Sequence, residues 1–192
     1  MTPLSQGVGA IERATLAAVA PQQVSALPGW LLPMDPGTVG RAQSAVPLIH
    51  DLAAITPWQA VAERYREAGF RPALRLPEQA AFAPLHAELA GAGWRRTQPT
   101  QVQVAALEGL LLADPAGCEL ALQPDAAWMA MFLGEGLDPV DGASRSAALA
   151  RARESRYASL REDGETRACG MACFAEGWLS VHGMRTAAAH RG

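Results

Sequence analysis

Lysine is missing altogether: the 16 basic residues are all arginine, set against 19 acidic ones for a net charge of −3. That balance gives no general pull toward nucleic acid. Beside so much alanine, arginine-only usage reflects GC-rich coding more than chemistry. Cysteine is scarce too. Cys118, Cys169 and Cys173 form an odd set with no disulfide framework, which fits reduced thiols in a cytosolic protein. No apolar run approaches the ~18 residues needed to span a bilayer, and the start lacks the basic stretch of a signal peptide. A soluble cytoplasmic protein without membrane partners is the default expectation. Charged residues make up only 18%, but 49% apolar residues over 192 positions can build a core, for one generous domain or two small ones.

Two familiar chemistries lack their signatures. "CGMAC" (Cys169–Cys173) invites a metal or redox reading, but in a strand both thiols share one face with Met171 between them. Zinc needs four ligands, and neither a second pair nor a suitably spaced His exists. No metal is expected, and buried core cysteines explain the pattern. Ser180 and His182 alternate on one face of the last strand, yet the Gly-x-Ser-x-Gly elbow of a Ser–His hydrolase is absent.

What is present reads as alternating helices and extended segments. "GAIERATLAAVA" sets Ile11, Leu16 and Val19 near one face of a helix. Trp30–Met34, the turn Asp35-Pro36-Gly37 and a following extended run predict a hairpin. "TPWQAVAERYREAGF" is the clearest helix, with Thr56 able to cap, Pro57 in the first turn and Gly69 at the exit. "PALRLP" reads as a strand, "EQAAFAPLHAELAGAG" as a helix, and "WRRTQPTQVQVAAL" as a long extended segment with Val102 and Val104 on one side.

A break at Asp114-Pro115-Ala116-Gly117 opens a second unit. Its strand Cys118–Leu122 is followed by a helix capped by Asp125, a helix in "DGASRSAALARARES", and a meander. The meander strands are Arg156–Arg161, Thr166–Ala175 and Trp178–Met184, turning at Asp163-Gly164 and Glu176-Gly177. Glu176 is expected to be solvated, and Tyr65 to pack with Val61 and Trp58.

That order, ending in "MRTAAAHRG", resembles the front half of a GNAT acyltransferase domain. "GRAQSAVPL" and "ERYREAGFRPALRLP" resemble the front region of two-domain bacterial members, and "YREAGF" echoes a Tyr-x-x-x-Gly-Phe found late in ordinary GNAT domains. The resemblance implies an α+β fold in two similar halves, each a mixed, mostly antiparallel twisted sheet flanked by helices. Residues 1–113 would be an accessory, degenerate GNAT-like domain, and 114–192 the first half of an acetyl-CoA-binding domain.

It further implies acetyl transfer from acetyl-CoA, without a metal, to an amine such as that of an amino acid. The backbone of Met184, Arg185 and Thr186 would hold the pantetheine arm, while Arg191 and Gly192 open the phosphate loop. His182 is a candidate base, although a hydrogen-bonded core histidine is the plainer account. Arg41 and Ser44 are candidates for the substrate cleft, although an ordinary strand with one exposed Arg explains them at least as well. The rest of the loop, its helix and a Tyr general acid would lie beyond Gly192. The alternative is a non-catalytic module that pairs with a second copy through uncovered surface near Trp178 and Val181.

Overall fold

The computed structural model describes residues 3–109 and 117–191. Among them are two antiparallel sheets, each with its own helices. The first sheet runs β1 (Gln23–Leu27), β2 (Trp30–Met34) and β3 (Val46–Pro47), in that spatial order. Its hairpin turn is Pro28-Gly29, which places Leu27 opposite Trp30. Proline presets the first turn position, and Gly29, at φ 82°, supplies the positive φ of the second.

The hairpin expected at Asp35-Pro36-Gly37 is therefore displaced one strand earlier. Asp35 is buried, and its carboxylate accepts the N–H groups of Gln22 and Gly37 together with the guanidinium of Arg151. So anchored, the chain makes a 3₁₀ turn at Gly40–Ala42 and returns to the sheet only at Val46–Pro47.

Helix α1 (Pro3–Val19) precedes this sheet; α2 (Trp58–Glu67) and α3 (Ala83–Gly91) follow it. Thr56 does not cap α2; its hydroxyl donates instead to the Pro28 carbonyl at 3.1 Å. The exit follows expectation: Gly69 has φ 78°, its N–H reaches Arg66 O, and the Phe70 N–H reaches Tyr65 O. Those paired bonds satisfy the last helix carbonyls in a Schellman arrangement. Trp30, Leu32, Met34, Val61 and Tyr65 form the core here.

"PALRLP" supplies only one parallel bridge, Ala45 to Leu74. Residues 95–106 form no strand, and Val102 and Val104 are exposed. Alternation alone does not make a strand without a neighbouring edge to accept it, and Pro99 offers no N–H to one.

The second sheet is β4 (Cys118–Ala121), β5 (Ser155–Glu162), β6 (Glu165–Ala175) and β7 (Trp178–Thr186), antiparallel in spatial order β4-β5-β6-β7. Both meander turns lie where the sequence puts them. Asp163-Gly164 (φ 52° and 81°) and Glu176-Gly177 (φ 55° and 78°) carry the double positive φ of type I′ hairpins. Between β4 and β5 come α4 (Ala126–Ala130) and α5 (Pro139–Ala150), capped by the carboxylates of Asp125 and Asp138.

These helices and α1 cover one face of the sheet, where Ala18, Trp128, Phe132, Leu149, Tyr157, Cys169, Met171 and Cys173 form the main core. The buried polar tips are satisfied: Trp128 Nε1–H donates to Gly170 O and the Tyr157 hydroxyl to Leu149 O. No helix among the described residues is long and apolar enough to cross a membrane. The expected division between 113 and 114 lies outside the described residues. Across it, α1 rests on β6 and β7, and the Asp35–Arg151 pair, at 2.7 Å, ties the end of β2 to the end of α5.

Candidate functional site

Strand β7 ends the second sheet, and its outer edge has no partner among the described residues. Its pairing with β6 breaks at a bulge: Met171 faces His182 and Cys169 faces Arg185, so Gly183 and Met184 together oppose Gly170. Gly183 has φ 61°, and a Cβ there would come within 2.5 Å of Leu149 Cδ1 and 3.2 Å of Phe132 Cζ. Only glycine fits both the backbone and the space.

The bulge reverses the alternation of side chains. Before it, Ser180 and His182 face the helices. After it, Met184 lies on the open face, 69% exposed, and Arg185 turns toward the helices, its guanidinium 5.1 Å from the centre of the Phe132 ring. Arg185 and Met184 thus present backbone, but only Met184 presents its side chain, to the open side.

Beyond β7, a 3₁₀ turn at Ala188–His190 folds the chain back. Arg191 Nε–H donates to Thr186 O at 2.9 Å, which gathers Thr186 and Arg191 at one end of the strand. Gly192 lies outside the described residues.

His182 lies on the helix-covered side of β7, opposite the buried Met171. Burial, and then the charge of Arg41, lower its pKa, so the imidazole is held neutral. Arg41, on the Gly40–Ala42 turn, is itself half-buried, and burial followed by the like charge of Arg75 lowers its pKa. The structure therefore brings together Arg41 and His182, which stand 141 positions apart in sequence. It does not bring Ser44 with them, because that hydroxyl is buried and donates to Gly40 O at 2.8 Å, fastening the turn.

Two members of this cluster escape sequence reasoning, Glu12 on α1 and Arg75 beside the Leu74 bridge, which pair at 2.5 Å. The one signal for Arg75 was its place between Leu74 and Leu76, a charge inside an apolar strand-like run. For Glu12 there was none.

Other candidates settle into structure. Tyr65 is fully buried and its hydroxyl donates to Pro33 O at 2.9 Å, with burial raising its pKa. Cys169 and Cys173 are buried, and burial pushes the Cys169 thiol up to about 11.

Among the described residues, a four-stranded antiparallel sheet, two helices between its first and second strands, and a bulged last strand with an unpartnered edge define a recognisable class of fold. Residues 6–192 match the family model described as "Probable histone acetyltransferase Rv0428c C-terminal", and the chain belongs to that acetyltransferase family. Among solved structures it is similar to a GCN5-related N-acetyltransferase from Kribbella flavida, at 18% identity and a TM-score of 0.62, covering 96% of this chain and 74% of that one. That likeness shows the GNAT fold. A search of curated proteins found no match.

Proposed function

We propose that this chain moves the acetyl group of acetyl-CoA to the amine of a small molecule, using the free edge of β7 as the cofactor wall. The observation that carries this reading is the position of β7: an edge without a partner among the described residues, bulged at Gly183, at the end of a GNAT-ordered sheet. An open edge presents N–H and C=O groups that an extended amide-bearing arm can pair with as an added strand. In this reading the backbone of Met184, Arg185 and Thr186 takes the pantetheine amides. Arg191, held at the end of the strand, meets the phosphates together with Gly192.

The acceptor nitrogen attacks the thioester carbonyl, a C–N bond forms, and the C–S bond breaks to release the CoA thiolate. A backbone N–H of β7 steadies the developing oxyanion. In this reading His182, kept neutral, takes the amine proton, while Arg41 marks the substrate end. Residues 1–113 act as an accessory domain and 114–192 as the cofactor-binding one. Three free cysteines suit a reducing, cytoplasmic location.

Calorimetry with acetyl-CoA tests the cofactor wall, and a thiol-release assay over a panel of amines tests the transfer. Micromolar binding with turnover of a small amine is the expected result. Absence of binding up to millimolar acetyl-CoA refutes it. Faster acetylation of a histone peptide than of any small amine would overturn the substrate class.

A second reading, pairing of two copies, rests on the uncovered face of the same sheet. Leu120, Leu160, Phe174, Leu179, Val181 and Met184 lie there, 43–69% exposed. Together they offer roughly 600 Å² of apolar surface, at the top of what a monomer exposes and close to one side of a standard interface. Trp178, by contrast, is partly covered by α1, where Gly7 approaches its ring. Sedimentation showing a dimer that Val181→Glu dissociates is the expected result; a monomer at high micromolar concentration refutes it.

A further inference from the structure

The polar cluster where α1, the Gly40–Ala42 turn, the Leu74 segment and β7 converge is out of electrical balance. Glu12 and Arg75 form a tight pair, with side chains only 14% and 22% exposed. Among the described residues, Nε and Nη2 of Arg75 are buried without a hydrogen-bond partner, as is Nε2 of His182. Arg41 shares this space yet makes no ion pair of its own among the described residues. The groups facing it are one carboxylate already taken by Arg75, a second arginine and an imidazole. A partly solvated guanidinium so placed leaves one positive charge that an anion can complete.

We propose that Arg41 is a clamp for a carboxylate, and that the acceptor is an amine-bearing carboxylic acid whose acid group sits on Arg41 and whose amine points to His182. A planar carboxylate matches the guanidinium fork. Charge selects it over phosphate: two arginines against Glu12 leave one positive charge, which a monoanion closes, whereas a dianion adds unpaired negative charge beside Glu12. The amine's fate rests on the acetyl-transfer reading; the anion site does not.

The test uses the whole chain, with the twenty standard amino acids and their carboxamides as probes, read by the shift in Tm that a bound ligand produces. At least one amino acid should raise Tm while its carboxamide does not. Arg41→Met should weaken that acid by roughly tenfold or more, while its own ligand-free Tm equals or exceeds that of the parent. Arg41→Lys, which keeps the charge but not the fork, should also lose most of the shift. No responding acid, equal response to the carboxamide, or an unchanged shift in both variants would each overturn the proposal. Calorimetry with acetyl-CoA on the same sample separates the two claims. Cofactor binding without any acid response sinks the clamp alone, and an acid response without cofactor binding sinks the transfer reading alone.

Discussion

Replacing Gly183 with alanine should be among the most damaging single changes in the second sheet, and its cost can be built from parts. At φ 61° an L-residue carries a left-handed penalty of about 1–2 kcal/mol. The new methyl must also displace Leu149 Cδ1, 2.5 Å away, and crowd Phe132 at 3.2 Å, both in the packed core. Overpacking of that kind costs about 1–3 kcal/mol. The sum, about 2–5 kcal/mol, is a large share of the ~5–15 kcal/mol that holds an ordinary domain together. Gly177→Ala is the matched control, since Gly177 has φ 78° but nothing within 4 Å of its missing Cβ, so it should show the backbone part alone. Urea unfolding followed by tryptophan fluorescence measures both. Because the bulge sets which backbone groups face the free edge, Gly183→Ala should also weaken acetyl-CoA binding out of proportion to Gly177→Ala. Equal stability losses in the two variants would refute the packing term, and equal cofactor affinity would refute the link between bulge and site.

Asp35→Ala strands two backbone N–H groups and the Arg151 guanidinium; urea unfolding should show a loss of about 2–4 kcal/mol, given that Arg151 is partly solvated. A double-mutant cycle with Arg151→Met should return a coupling near 1 kcal/mol, and a coupling of zero would deny the latch between the two sheets. Stability should fall as pH drops from 7 through 6 toward 5. His182 has its pKa lowered by burial and by Arg41, so the unfolded chain takes up the proton first, near pH 6.5, and is favoured from there downward. The slope should stay below ~1.4 kcal/mol per pH unit and flatten in His182→Gln; an unchanged slope would remove His182 as its source. Iodoacetamide should label Cys118, which is exposed, in the native protein, while Cys169 and Cys173 react only on unfolding. Mass spectrometry showing comparable native labelling at Cys169 would contradict its burial and raised pKa.

The contrast between the two halves shows what sequence alone can carry. In the second sheet the information is local: Asp163-Gly164 and Glu176-Gly177 dictate I′ turns, Asp125 caps its helix at Trp128, and alternation places Cys169, Met171 and Cys173 on the buried side. Strand limits there fall within a residue or two of expectation. In the first half the decisive interactions are long-range. Asp35-Pro36-Gly37 has the composition of a hairpin turn, but Arg151, 116 positions away, pairs with the buried Asp35 carboxylate, and the tight turn falls instead at Pro28-Gly29. The alternation of residues 95–106 likewise meets no edge to pair with among the described residues. The site inherits both kinds of information. His182 is legible as an inward residue of β7, because register with Met171 follows from the Glu176-Gly177 turn. Its companions Glu12, Arg41 and Arg75 come from three separate segments, and no spacing rule relates them. What joins them is the packing of α1 across β7 and the single bridge between Ala45 and Leu74. A side-chain cluster assembled from separate segments is therefore the part of such a protein that a linear reading sees last.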